Sequence, residues 1–125
     1  MATVNLTHED FISTIDNNDI VLIDFWAPWC GPCRQFAPVF ESMSESHPDL
    51  VFAKVNTEEQ QPLAGQFQIR SIPTLMVFRE QIIVFSQPGA LPPASLQTVI
   101  EKVAALDMDE VRRQIAEHAP QEGST

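Results

Sequence analysis

The sequence predicts an α/β fold, with one central mixed sheet, helices on both of its faces and an extra helix at the C-terminus. The chain has 125 residues, which suits one domain, and 44 % of them are hydrophobic, enough to build a core. Segments with strand and helix patterns alternate along most of the chain, as in parallel sheets. Two neighbouring strand-like runs, 75–78 and 82–85, then indicate a hairpin and an antiparallel part of the sheet.

The predicted order of elements is β-α-β-α-β-α-β-β-α. The predicted strands cover residues 3–6, 20–26, 50–55, 75–78 and 82–85. The predicted helices cover residues 8–17, 31–46, 58–67 and a stretch that begins near Ser95. Thr7 is the expected cap of the first helix, and Pro38 is expected to kink the second. Residues 87–89 are expected to form a turn.

The domain is expected to end at residue 106, and a helical extension is expected over residues 107–118. Asp107 and Glu110 have the spacing of a capping box, and Met108, Val111, Ile115 and Ala119 form a narrow apolar stripe. Two interpretations of this helix remain open: it lies on its own domain, or its stripe contacts a second copy or another protein. We expect a monomer, and we expect residues 119–125 to be disordered.

The charge of the chain argues against nucleic acid and membrane partners. Its 17 acidic and 7 basic residues give a formal charge of −10, which repels phosphates and anionic lipids. The first 25 residues contain no Lys or Arg, and the apolar run 20–23 ends at Asp24, so no secretory signal is expected. We therefore expect a cytoplasmic protein, in which a disulfide is usually transient and catalytic.

Two cysteines, Cys30 and Cys33, stand at the start of the second predicted helix. A Cys-x-x-Cys spacing there brings two thiols within reach of each other, and the helix N-terminus favours a thiolate at the first of them. Pro32 is tolerated because an early helical position has no amide partner to lose. We expect Cys30 to attack a substrate disulfide as an exposed nucleophile, and the more buried Cys33 to resolve the mixed disulfide.

Other uses of a Cys-x-x-Cys pair are weaker interpretations. A zinc site needs about four ligands, and the remaining candidates are His8, His47 and His118, which lack metal-like spacing. A purely structural disulfide across so short a loop would constrain the unfolded chain little. We expect no metal and no cofactor other than the redox-active pair itself.

Three segments of the sequence resemble the thioredoxin family. Residues 24–33, Asp-Phe-Trp-Ala-Pro-Trp-Cys-Gly-Pro-Cys, are similar to its active-site segment. Residues 71–75 are similar to the loop before its hairpin, and residues 89–91 to its third active-site loop. The resemblance runs from about residue 3 to residue 105. It implies the thioredoxin fold, a five-stranded sheet with a four-stranded core, and the activity of a protein-disulfide reductase.

The resemblance also implies roles for three residues around the cysteines. Asp24 matches a buried acid thought to exchange a proton with the second cysteine, and burial in an apolar strand would raise its pKa. Lys54 matches a lysine near that acid, and Pro73 matches a cis-proline that faces the disulfide. Each has a plainer alternative: a buried hydrogen-bonded acid, a surface lysine and a trans turn proline.

A flat, mostly apolar docking surface for disulfide-bearing proteins is implied as well. Its expected residues are Trp29, Gly31, Pro32, Ile72, Pro73, Gly89 and Ala90. A flavin-containing reductase that uses NADPH is the implied electron donor. Two other functions are weighed against the reductase: a binding or chaperone subunit with secondary redox activity, and an oxidant or isomerase. The intact cysteine pair with Asp24 and Pro73 disfavours the first of these, and Gly31-Pro32 disfavours the second.

Overall fold

A computed structural model describes residues 2–118 and contains a five-stranded mixed sheet with helices on both faces, which confirms the predicted fold class. The strands are β1 (Thr3–Asn5), β2 (Ile20–Trp26), β3 (Val51–Asn56), β4 (Thr74–Arg79) and β5 (Ile82–Pro88). The helices are α1 (His8–Asp16), α2 (Gly31–Ser46), α3 (Gln61–Gln66), α4 (Pro93–Ala104) and α5 (Met108–His118). None of these helices is both long and apolar enough to cross a membrane.

The strand order β1-β3-β2-β4-β5 places β2 at the centre of the sheet. β2 is parallel to β3 and antiparallel to β4, while β1 is parallel to β3. The carboxyl ends of β1, β2 and β3 and the amino end of β4 therefore lie at the same end of the strands. The loops after β2 and before β4 leave the sheet at this end, and both cysteines lie there.

Apolar side chains fill a layer on each face of the sheet. Phe11, Phe25 and Phe78 belong to the layer beneath α1 and α3. Phe36 and Phe40 of α2 belong to the other layer, together with Leu96 of α4. Because residues of β2 enter both layers in alternation, this strand is buried on both faces, as its apolar sequence predicts.

The hairpin between β4 and β5 forms without an Asn-Gly turn. Glu80 and Gln81 both have positive φ angles, 51° and 66°, as the tightest hairpins require. The backbone N–H of Glu80 donates to the carbonyl of Asp19 at 2.8 Å. A tertiary hydrogen bond thus supports a conformation that these two residue types do not favour on their own.

Several predicted boundaries differ from those of the structure. α4 begins at Pro93 and not near Ser95, because proline suits the first turn of a helix and Pro92 already has extended geometry before it. α3 is shorter than predicted, and β5 continues to Pro88 through residues expected to form a turn. Pro88 is tolerated in β5 because this strand lies at the edge of the sheet.

The predicted C-terminal helix is present as α5. Asp107 caps it, since its carboxylate accepts the N–H groups of Asp109 and Glu110 at 3.1 and 3.2 Å. The reciprocal half of the expected capping box is not seen among the described residues, because the carboxylate of Glu110 accepts from Arg113 and Gln114 instead. The expectation of disorder for 119–125 lies outside the described residues.

Two contacts join α5 to the domain. Met108 is buried, and Arg112 forms an ion pair with Glu80 of the hairpin. Arg79 fixes the preceding turn, because its guanidinium donates to the carbonyls of Val103 and Leu106 at 2.8 Å each. The start of α5 and Arg112 thus contact the domain, whereas other residues of α5 remain exposed.

Candidate active site

The two cysteines form a disulfide at the start of α2. Cys30 is the N-cap residue, and the Cα atoms of Cys30 and Cys33 are 5.2 Å apart. The backbone N–H of Cys33 donates to the Cys30 Sγ at 3.1 Å. This N–H is one of the first amides of the helix, which have no partner within it, so the helix directs a donor at the Cys30 sulfur.

Both cysteines are largely covered in this oxidised form. The exposed fraction is 4 % for Cys30 and 2 % for Cys33. Cys30 is thus far less exposed than the sequence suggests, because the loop before β4 covers it: the carbonyl oxygen of Ile72 lies 3.6 Å from the Cys30 Sγ. Cys33 is more buried than Cys30, as the sequence predicts, but the two exposed fractions differ only slightly.

Three loops surround the disulfide. The loop after β2 is fixed by Arg34, which donates to the carbonyl of Pro28 at 2.9 Å. The Ile72–Pro73 peptide bond is cis, and Pro73 is buried. The N–H of Gly89 donates to the carbonyl of Pro73 at 2.8 Å, which ties the loop after β5 to the loop before β4. Gly89 has a φ of 103°, a conformation that favours glycine.

Asp24 lies in the middle of β2 with an exposed fraction of 0 %. Neither carboxylate oxygen has a hydrogen-bond partner among the described residues. Burial raises the pKa of this carboxyl to about 7, against an opposing effect from the positive charge of Lys54. A carboxyl with this pKa can accept or release a proton near neutral pH.

Lys54 is opposite Asp24 in the register of β2 and β3. Its ammonium group lies 4.7 Å from the centre of the Trp26 ring, in a cation–π contact. The lysine is half-buried, and it forms no ion pair with Asp24 within 4.0 Å. Its positive charge opposes the rise in the pKa of the buried acid.

Comparisons with known proteins agree with this geometry. The family model described as Thioredoxin matches residues 2–102. The chain belongs to the thioredoxin family. Its members are thiol–disulfide oxidoreductases that act on proteins, and this chain is one as well.

One curated relative and two solved structures illustrate the similarity. A putative thioredoxin 2 from Streptomyces coelicolor is 59 % identical over 122 residues, covering 98 % of this chain and 91 % of the relative. A Plasmodium falciparum thioredoxin structure has a TM-score of 0.74 and 34 % identity, over 80 % of this chain and 97 % of that one. The structure of a mutant thioredoxin from Halobacterium salinarum has a TM-score of 0.77 and 32 % identity, over 83 % and 92 %.

The match to the Streptomyces protein extends beyond the thioredoxin family model. That model ends at residue 102, before α5, whereas an alignment of 122 residues of this chain includes α5. The segment that forms α5 is therefore aligned with a segment of this relative. The name of this relative does not indicate what the segment does.

The residues expected at the thioredoxin docking surface lie around the disulfide, with unequal exposure. Trp29 has an exposed fraction of 65 %, while Pro32, Gly89 and Ala90 are also exposed. Gly31 and Ile72 are half-buried. Pro73 is buried.

Sequence reasoning missed Glu58, whose carboxylate accepts a hydrogen bond from the indole N–H of Trp29. Asn56 shapes the loop that carries Glu58, because its side chain accepts the Glu58 N–H at 3.0 Å. The Asn-Thr-Glu run after β3 could have suggested a turn, but not the indole as its partner. Among residues 2–118, no three His, Cys, Asp or Glu side chains form a group that could hold a metal ion.

Proposed function

We propose that this oxidoreductase works as a reductant of protein disulfides, with Cys30 as the nucleophile and Cys33 as the resolving thiol. The observation that carries this proposal is the position of Cys30 at the N-cap of α2, where its sulfur accepts the N–H of Cys33. This donor and the positive end of the helix dipole stabilise a thiolate. No bound cofactor is needed, since the electrons are held by the cysteine pair.

The reaction conserves atoms and electrons over two exchanges. The Cys30 thiolate attacks one substrate sulfur, forms a mixed disulfide and releases the other substrate sulfur as a thiolate. Cys33 then loses its proton and attacks the Cys30 sulfur, which releases the second substrate thiolate. Two electrons pass to the substrate, and the Cys30–Cys33 disulfide forms.

Asp24 is proposed to accept the proton that Cys33 loses. Its pKa of about 7 lets it exist in either protonation state near neutral pH. Because neither of its oxygens is hydrogen-bonded to the described residues, a water molecule is the proposed carrier between the carboxyl and the thiol. Lys54 would keep the pKa of Asp24 from rising further.

Pro73 and the exposed residues around it are proposed to hold the substrate. The Ile72 carbonyl lies 3.6 Å from the Cys30 sulfur, so an extended substrate segment that reaches this sulfur would lie along the loop. Trp29, Gly31, Pro32, Gly89 and Ala90 would supply the rest of the contact. An NADPH-dependent flavin reductase in the cytoplasm is the proposed source of electrons, by analogy with the family.

A trapping experiment tests the assignment of the two thiols. We expect Cys33→Ser to form stable mixed disulfides with an oxidised substrate such as insulin, because no thiol remains to resolve them. Non-reducing gels would detect the adduct, and dithiothreitol would remove it. Cys30→Ser is the matched control, since it lacks the same disulfide. Adducts with Cys30→Ser but not with Cys33→Ser would reverse the assignment.

We also propose that the protein is a monomer with α5 against its own domain. The burial of Met108 and the ion pair between Arg112 and Glu80 support this arrangement. Ile115, with an exposed fraction of 47 %, is the residue of the apolar stripe best placed to contact another molecule.

Light scattering of the full chain and of a chain ending at Leu106 measures the oligomeric state. We expect the mass of one chain for both. A dimer of the full chain that Ile115→Ser or the truncation converts to a monomer would contradict the proposed monomer and favour the second interpretation of the helix.

A further inference from the structure

A cavity of about 200 Å³ lies beside the loop that carries the cis-proline. Phe67 and Ile69 line its apolar side, and both pack against the core layer beneath α1 and α3. Gln68, Arg70, Ser71 and Ser86 add hydrogen-bond donors to its lining. No Asp or Glu lines this cavity, in a chain with 17 acidic residues.

Arg70 is the one charged residue of this lining. Its side chain is exposed, and it forms neither a hydrogen bond nor an ion pair with any residue among those the structure describes. Most other arginines of the described chain already have partners. Arg79 donates hydrogen bonds to carbonyls at the end of α4, and Arg112 and Arg113 form ion pairs with carboxylates of α5 or the hairpin. The Arg70 guanidinium is therefore available to a ligand.

The position of Arg70 relative to the disulfide places its guanidinium within reach of a bound substrate. Arg70 stands two residues before Ile72, so their Cα atoms are at most about 8 Å apart. The carbonyl of Ile72 lies 3.6 Å from the Cys30 sulfur. A substrate segment whose cysteine reaches Cys30 must pass close to this loop, and a side chain next to that cysteine comes within reach of the guanidinium.

The charges on the other sides of the disulfide do not cancel this cation. Glu58 lies in the loop after β3, where its carboxylate accepts the indole N–H of Trp29. Asp24 is buried in the sheet. Arg34, at the start of α2, is a second exposed cation near the disulfide. Two exposed cations, Arg34 and Arg70, thus lie in segments next to the disulfide of a chain with a formal charge of −10.

We infer that the cavity beside Arg70 is a substrate subsite for an acidic side chain, and that Arg70 selects disulfides flanked by Asp or Glu. This inference rests on the proposed function and narrows its substrate class. The carboxylate would bind the guanidinium, while Ser71 and Ser86 offer hydroxyl donors at the edge of the cavity. Long-range attraction between the cation and the substrate would act mainly on the rate of association.

Three synthetic disulfide peptides test the subsite. They differ only in the two residues that flank the reactive cysteine, which are both Glu, both Gln or both Lys. The rate constant for their reduction by the reduced protein is divided by the rate constant with dithiothreitol, which removes their intrinsic reactivity. We expect the Glu peptide to be reduced about two- to fivefold faster than the Gln peptide, and the Lys peptide to be slowest.

Variants test whether the preference for the Glu peptide depends on Arg70. Arg70→Gln should remove the preference and Arg70→Glu should reverse it, whereas Lys102→Gln should leave it unchanged, because Lys102 is an exposed cation at the far end of α4. Salt at about 1 M should weaken the preference of the wild type.

Equal rates with the three peptides, or the same loss with Lys102→Gln as with Arg70→Gln, would overturn the subsite and leave the reductase function intact. Failure to reduce even the Gln peptide would overturn both.

Discussion

Cys30→Ser is expected to lower the catalysed reduction of insulin to the rate of dithiothreitol alone, a loss of about a hundredfold or more. The variant keeps the fold but has no sulfur at the N-cap of α2, where the N–H of Cys33 donates in the wild type. Cys33 is not expected to take its place, because it lies inside α2 and not at the N-cap, where a helix amide donates to the sulfur. Turbidity of the released insulin chain measures the rate.

Two controls separate this chemical effect from misfolding. Circular dichroism should show the same helix and strand content for Cys30→Ser as for the wild type. Trp29→Ala should keep a measurable catalysed rate, since it changes the docking surface and leaves both sulfurs in place. A Cys30→Ser variant that reduces insulin as fast as the wild type would refute the assignment of Cys30 as the nucleophile.

Asp24→Ala is expected to stabilise the protein at pH 8 by about 2 kcal/mol. Burial raises the pKa of Asp24 from 3.8 to about 7. Below pH 3.8 the carboxyl is protonated in both the folded and unfolded states, so it imposes no penalty. As the pH rises toward 7, the unfolded state ionises first, and folding becomes less favourable by up to about 4 kcal/mol. The alanine removes this penalty but leaves a small void, which offsets part of the gain.

The pH dependence distinguishes this effect from a change in packing. Denaturant unfolding of the oxidised protein at pH 4 and pH 8 measures the free energy of unfolding for each variant. Asp24→Ala should raise the free energy of unfolding by about 2 kcal/mol at pH 8 and lower it by about 1–2 kcal/mol at pH 4, because the void remains there while most of the ionisation penalty is absent. Asp49→Ala, which removes an exposed carboxyl, is the matched control and should change little at either pH. A gain or loss that is equal at both pH values would argue against a raised pKa for Asp24.

The sequence predicts the central elements of this fold closely. β2 and α2 have their predicted bounds, because a run of apolar residues and a three-to-four spacing are strong local signals. α4 begins at Pro93, two residues before the predicted start near Ser95, and the adjacent prolines at 92 and 93 are a signal for this start. The hairpin turn at Glu80 and Gln81 is not predictable from local preferences, since it depends on the contact with Asp19.

Some features of the site can likewise be predicted from the local sequence, and others cannot. The cysteine pair and its place at a helix start follow from local spacing alone. The cis bond before Pro73 follows only from the family resemblance, because the local sequence alone favours the commoner trans isomer. The contacts of Glu58 with Trp29 and of Arg79 with the end of α4 join segments far apart in the chain. No local pattern encodes such pairs.

Alkylation of the reduced protein tests most directly whether Cys30 is the reactive thiolate. Iodoacetamide is added over a range of pH values, and mass spectrometry assigns the modified cysteine. We expect Cys30 to be alkylated first, with a rate that reaches half its maximum below about pH 8.5, where a free cysteine would titrate. Preferential alkylation of Cys33, or no reaction of either thiol below that pH, would contradict the mechanism.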